Sequence, residues 1–239
     1  MTNGVAQADS ACGKNIRCRR PVPVVEWIFH SPERPTGEKA EAKGYRDTGA
    51  CRRMRTAGIE RSLISWVRMA PQTSADLITN LKNSRESVRE ALAEITEQDA
   101  CRSPGPDRWS ALECVEHLTI AEEAMLGRLK AGESLAEPIH LPEREARMAA
   151  GVSGRATRVQ APATALPTGR FGSMAEALER FCAARGRTLE FIETAPNLRA
   201  LQVTHPFFGP VSGYELAMIM ASHSVRHATQ IREIREQFK

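Results

Sequence analysis

Ser-x-x-Glu tetrads stand before three runs of helical periodicity in the C-terminal part of the chain: Ser110 with Glu113, Ser173 with Glu176, and Ser212 with Glu215. In each, the serine hydroxyl can accept from the backbone N–H three residues on, while the glutamate reaches back to the serine N–H. Two orphan donors at a helix start are satisfied at once. Each tetrad opens a run in which apolar residues recur every three to four positions, so the signal marks helix starts. Helix two then runs from Trp109 to about Lys130, with Gly132 as its stop. Helix three carries Met174, Ala177, Leu178, Phe181, Leu189 and Ile192 on its inner face and ends before Pro196. Helix four runs from Ser212 to the end. Helix one, roughly 73–97, precedes them, with Thr73 or Ser74 as N-cap and Leu77, Leu81, Val88, Leu92 and Ile95 on one face, Ser84 among them.

The connections are informative as well. Pro104-Gly105-Pro106-Asp107 breaks the chain, and Thr204-His205-Pro206-Phe207-Phe208-Gly209-Pro210 reads as a rigid loop. Residues 132–170 form a long connection rich in Pro, Gly and Ala, with a short helix near Glu143–Ala150; such a length implies a crossover or a lid. No alternating strand pattern appears between 73 and 239. The expected fold class is all-α, a four-helix bundle with one long crossover.

Residues 1–70 mix Gly, Pro, Arg and isolated apolar residues without sustained periodicity. Three readings stand: a disordered tail, a partner-binding arm, or an artefact of a start site placed too far upstream, since Met69 lies just before helix one. The domain expectation is therefore an N-terminal extension over 1–70 and a bundle over 73–239. Charge follows the same division. Residues 1–72 carry 13 Lys+Arg against 7 Asp+Glu, whereas the remainder holds 20 against 22 and is nearly neutral. The net charge of +4 thus offers no broad basic face for nucleic acid. No run approaches the roughly 20 apolar residues that span a bilayer, and no signal-peptide core is present, so a cytoplasmic location is expected. The 6 cysteines follow no disulfide framework and read as free thiols. Cys12, Cys18, His30 and Cys51 match no tight zinc spacing.

His223 and His227 are four residues apart in helix four, in the middle of the stripe formed by Leu216, Ile219, Met220, Ile231, Ile234 and Phe238. Two imidazoles directed into a core need partners, because a buried unsatisfied polar group costs roughly 1–3 kcal/mol. Hydrogen-bonded core histidines and metal ligands both meet that need, and a third ligand would separate them. His117, inside helix two, sits on a flank of small residues with Cys114, Ala121 and Ala124. It reads alone as a surface or interhelical histidine. Taken with the pair it completes a His₃ set from two helices with open coordination positions, the form of a catalytic site.

Trp109-Ser110 followed by Glu113, Glu116, His117 and Leu118, together with His205-Pro206-Phe207-Phe208-Gly209-Pro210 leading to His223, Arg226, His227, Gln230 and Ile231, resembles the DinB-like superfamily, which includes the YfiT-type metal hydrolases. The resemblance covers about 73–239. It implies an up-down-down-up bundle binding a divalent ion (zinc, nickel, iron or manganese) through His117, His223 and His227. It also implies kinship with transferases and isomerases that use low-molecular-weight thiols such as bacillithiol or mycothiol. The functional expectation is a metal-dependent thiol S-transferase or hydrolase acting on a small molecule, the alternative being a non-catalytic metal- or small-molecule-binding or dimerisation bundle. A homodimer is expected. Gln230, Arg226 and Glu116 are the candidates for supporting or substrate-contacting roles: Gln230 to orient a ligand imidazole, Arg226 to meet an anion or a glutamate, and Glu116 as acceptor or base. No catalytic residue is assigned.

Overall fold

The computed structural model describes residues 73–156, 159–195 and 197–239. The readings made for 1–70, including the cysteines there and His30, lie outside the described residues.

Helix α1 (Ser74–Leu92) opens at Thr73, whose side chain accepts from Asp76 N–H while Asp76 caps Thr73 in return. It stops at Leu92, short of the expected 97, because Thr96 starts a separate five-residue helix, α2 (Glu97–Cys101), by accepting from Asp99 N–H. Helix α3 (Ala111–Lys130) begins with the reciprocal Ser110–Glu113 box. The crossover contains α4 (Pro142–Ser153), longer than the sequence suggested, with Pro at its first turn. Helix α5 (Met174–Thr194) is capped by Ser173, but Glu176 reaches Gly172 N–H instead of Ser173, so only half of that box forms. Helix α6 (Gly213–Glu236) has the full Ser212–Glu215 box.

Four long helices make the bundle. α1 packs on α6 and α5, and α3 packs on α5 and α6, giving the cyclic order α1, α6, α3, α5. Their directions follow from pairs near the helix ends. Tyr214 meets Thr73 and Arg232 meets Ser87, so α1 and α6 run parallel. Lys82 faces Glu193, and Met174 N–H bonds Glu97, so α5 runs against α1. Glu122 and Glu123 on α3 pair with Arg185 and Arg187 on α5, while Glu116 bonds the segment just before α5; these two run parallel. The topology is up-down-down-up. Parallel neighbours cannot be joined by a tight turn, so the chain must return the length of α3, on the order of 30 Å. That requirement explains the crossover. On its way α4 packs on α6 and is tied by Arg199 to Glu145 and by Arg144 to Glu215.

One expectation fails. Strands β1 (Glu133–Ser134), β2 (Leu201–His205) and β3 (Gly209–Ser212) form an antiparallel sheet in that order, where the sequence suggested no strand and only a rigid loop. The strands hold five residues at most, too few for an alternation to stand out, although Val203 and His205 do turn inward with Thr204 outward. Gly209 turns the hairpin at φ +65°, a conformation that favours glycine. β3 ends at Ser212, so the hairpin fixes where α6 begins.

Two apolar clusters fill the bundle. Leu77, Leu81, Leu129, Leu216 and Met220 belong to one; Val88, Val115, Leu118, Phe181, Ile231 and Ile234 belong to the other. Near the junction of the two clusters every long helix carries a buried polar residue: Ser84, Glu122, Arg185 with Thr188, and Ser224. Arg185, fully buried, binds Glu122 through two bonds of 2.7 and 2.9 Å and donates to Ser84 Oγ at 2.8 Å, Leu81 O at 2.9 Å and Ser224 Oγ at 2.9 Å. Thr188 adds a bond to Glu122 at 2.8 Å. A single guanidinium thus touches all four helices. Its five donors and planar fork are what a buried carboxylate and several oxygens require. Among the described residues no helix is long and apolar enough to cross a membrane, and Cys101, Cys114 and Cys182 form no disulfide.

Candidate metal centre

His117, His223 and His227 converge beside this polar layer. Two come from consecutive turns of α6, where i,i+4 spacing stacks them on one face, and the third comes from the antiparallel neighbour α3. Each offers one ring nitrogen, and the three atoms lie within 4.8 Å of one another. Nε2 of His223 stands 3.1 Å from Nε2 of His117 and 3.0 Å from Nε2 of His227. His117 and His227 are buried and His223 is half-buried.

Protonation is constrained by the neighbours. His117 Nδ1 lies 2.7 Å from the carbonyl oxygen of Ala165, which can only accept, so Nδ1 carries the proton and Nε2 of the neutral ring presents a lone pair. Burial, opposed by this bond, holds His117 below the ordinary imidazole range. Burial, then the neighbouring His117, pushes His223 far lower; burial, then His223, does the same to His227. The cluster is neutral. Three imidazole nitrogens meeting at one point cannot all be satisfied by the one or two protons available to them, whereas a cation accepts every lone pair. Two nitrogens about 2.0–2.1 Å from one ion, at angles between octahedral and tetrahedral, lie about 2.9–3.4 Å apart. The two separations to His223 fall in that span, all three atoms lie within 4.8 Å of one another, and neutral imidazoles are suitable donors for a transition ion. The set fits. One atom is less well served: His227 Nδ1 is buried without a hydrogen-bond partner among the described residues.

The walls come from α3 and the crossover. The Trp109 ring packs 4.7 Å from that of His117 and stacks 6.1 Å from that of His227. The segment 165–170 lies along α3, held by Ala165 O at His117 and by the Glu116 carboxylate. Cys114, fully buried on α3, has its thiol pushed far above the usual range by burial, so no thiolate forms there.

The remaining sequence candidates sit close by and are each engaged. Glu116, buried, accepts from the backbone of Thr168 at 2.7 Å, Gly169 at 3.0 Å and Arg170 at 3.3 Å. Gln230 accepts from Arg155 at 3.1 Å, and Arg155 also binds Glu233 at 2.6 Å. Arg226 donates to the carbonyl of Gly154. Arg155 and Arg226 therefore clamp the crossover onto α6 beside the histidines. Glu113 is occupied in the Ser110 cap. His205 lies elsewhere, at the end of β2, accepting from Phe207 N–H at 3.1 Å; burial, then Arg128, lowers it to about 4. A recess lined by Arg128, Glu133, Gln202 and Thr204 belongs to that sheet and contains none of the three histidines.

The sequence reading had no means of finding Ala165, whose contribution is a backbone oxygen. Trp109 stands out there as a helix start and as part of the motif, without a sign of its contact with the histidines. Arg185 and Glu122 carry no local signal of burial, although Ser84 in the apolar face of α1 shows that something polar faces it.

These features define a four-helix bundle with a buried three-histidine cluster opening from two antiparallel helices. The model of the DinB superfamily matches residues 80–231, and the chain belongs to that superfamily. Two solved structures are similar. The four-helix bundle protein TT2238 is 17% identical, with a TM-score of 0.46, over 67% of this chain and 99% of that one. YfiT from Bacillus subtilis, described as a probable metal-dependent hydrolase with an unusual four-helix bundle topology, is 13% identical, with a TM-score of 0.47, over 78% of this chain and 93% of that one. No curated protein matches the sequence.

Proposed function

We propose that the chain is a metal-dependent enzyme in which His117, His223 and His227 hold one divalent transition ion, and that it transfers a small-molecule thiol to an electrophile. The reading rests on one observation, the convergence of three neutral ring nitrogens at 3.0 and 3.1 Å in a buried setting. Such an ion, when bound, supplies a full positive charge that favours the ionised form of a thiol or a water molecule at neutral pH. The chain's own residues do the rest. His117 keeps its proton on Nδ1 and its lone pair inward, and Trp109 and the 165–170 segment exclude water from one side. Glu113 and Glu116 accept backbone N–H groups, so neither of these two carboxylates is a free base. That favours a thiol, whose ordinary pKa of about 8.5 lies far closer to neutrality than that of water. Hydrolysis at the same site is the second reaction open to it. The same lack of a free base is what a binding bundle without turnover would have.

The test loads the purified protein in turn with zinc, nickel, manganese and ferrous iron and follows thiol consumption with a panel of electrophiles, beside ester and amide hydrolysis. Metal-dependent turnover of a thiol, lost in His223→Ala, supports the proposal. Hydrolysis alone moves the assignment to the second reaction, and metal uptake without turnover of any kind moves it to the binding role.

A further inference from the structure

The structure holds Glu116 and His117, adjacent on α3, against one short segment of the crossover. Glu116 is fully buried and takes the consecutive backbone N–H groups of residues 168, 169 and 170, with Thr168 Oγ1 adding a fourth bond at 3.1 Å. Three successive amides curled round a carboxylate form a concave anion seat, and the curl requires Gly169 at φ +79°. Three residues earlier the same segment turns through Ala163–Ala165 and presents the Ala165 carbonyl to His117 Nδ1 at 2.7 Å. The carboxylate therefore fixes the strand of chain that carries the acceptor. Without that acceptor the His117 proton is free to move to Nε2, the nitrogen that faces His223.

We propose that Glu116 is the positioning residue of the site: by anchoring residues 168–170 it sets the Ala165 carbonyl that keeps His117 in the Nδ1–H tautomer with its Nε2 lone pair directed at the cluster. This deepens the metal-centre reading and rests on it for its functional meaning, though the tautomer is a property of the metal-free protein. A glutamine is the informative substitution. It has the shape of the glutamate but one acceptor oxygen, so one side of its amide must turn an NH₂ towards a backbone N–H.

The experiment records two-bond ¹⁵N–¹H correlation spectra of zinc-free, ¹⁵N-labelled protein above neutral pH, with zinc affinity measured by competition. The wild type should show His117 as the Nδ1–H tautomer. In Glu116→Gln the His117 signal should shift towards Nε2–H, and zinc affinity should fall about 10- to 100-fold. An unchanged His117 tautomer in folded Glu116→Gln overturns the proposal. Should that variant fail to fold, Gly169→Ala strains the same loop from the crossover side with α3 intact and must shift the same signal; an unchanged tautomer there overturns it equally. A tautomer that responds to Glu116→Gln, together with a wild type that takes up no zinc, supports the positioning and refutes the metal reading, so the two failures are separable.

Discussion

Replacing Arg185 with methionine tests how the bundle holds its helices in register around the histidines. The substitution fills much of the same volume but strands the Glu122 carboxylate, which keeps only the Thr188 hydroxyl at 2.8 Å. Ser84 and Ser224 are less affected, because each also donates to a carbonyl of its own helix, Leu81 at 3.0 Å and Met220 at 3.2 Å. The cost is thus mainly that of one buried charge without its partner, about 3–5 kcal/mol. For a protein of this size each kcal/mol moves the melting temperature by about 2–4 °C, so a fall on the order of 10 °C is expected in thermal unfolding followed by circular dichroism. Arg185→Met combined with Glu122→Met should recover to within about 1–2 kcal/mol of the wild type or exceed it, since two apolar residues replace the pair. A single substitution costing less than about 1 kcal/mol, or a double one as costly as the two singles added together, would refute the view that this pair is a mutually dependent buried unit.

Stability should fall as the pH drops from 7 towards 4. His205 titrates near 4 when folded, and His117, His223 and His227 are also held below their unfolded values, so the unfolded chain takes up protons near 6.5 that the native one refuses. Urea midpoints that stay flat between pH 7 and 5 would contradict this. Gly209→Ala, at φ +65° with open space around a new Cβ, should cost about 1–2 kcal/mol through backbone strain alone; a neutral urea midpoint would remove the turn argument. Cys114 should resist maleimide in the native protein and react only on unfolding, which mass spectrometry of tryptic fragments reads directly.

Local rules carried the sequence reading far. Ser110–Glu113 and Ser212–Glu215 cap helices as their spacing demands, because the capping box involves residues three apart and nothing distant. His223 and His227 share a face for the same reason. What escaped depends on partners far along the chain. Arg185 and Glu122 are 63 positions apart, and each alone looks like a solvated charge. The Ala165 carbonyl has no side-chain signature. β2 and β3 are too short for alternation to register, and Thr96 ends α1 through a cap that the apolar residue Ile95 obscured. His117 was legible only in company: its small neighbours Cys114 and Ala121 are buried against the other helices, but Ala124 is exposed.

If His117, His223 and His227 make one metal site, each of them is needed to hold the ion. Elemental analysis of the purified protein at known concentration, beside His117→Ala, His223→Ala and His227→Ala, addresses it most directly. About one equivalent of a transition metal is expected in the wild type, with the loss of most of it in each folded variant. Full occupancy in His117→Ala, or no metal in the wild type even after incubation with zinc, nickel, manganese and ferrous iron, would contradict it.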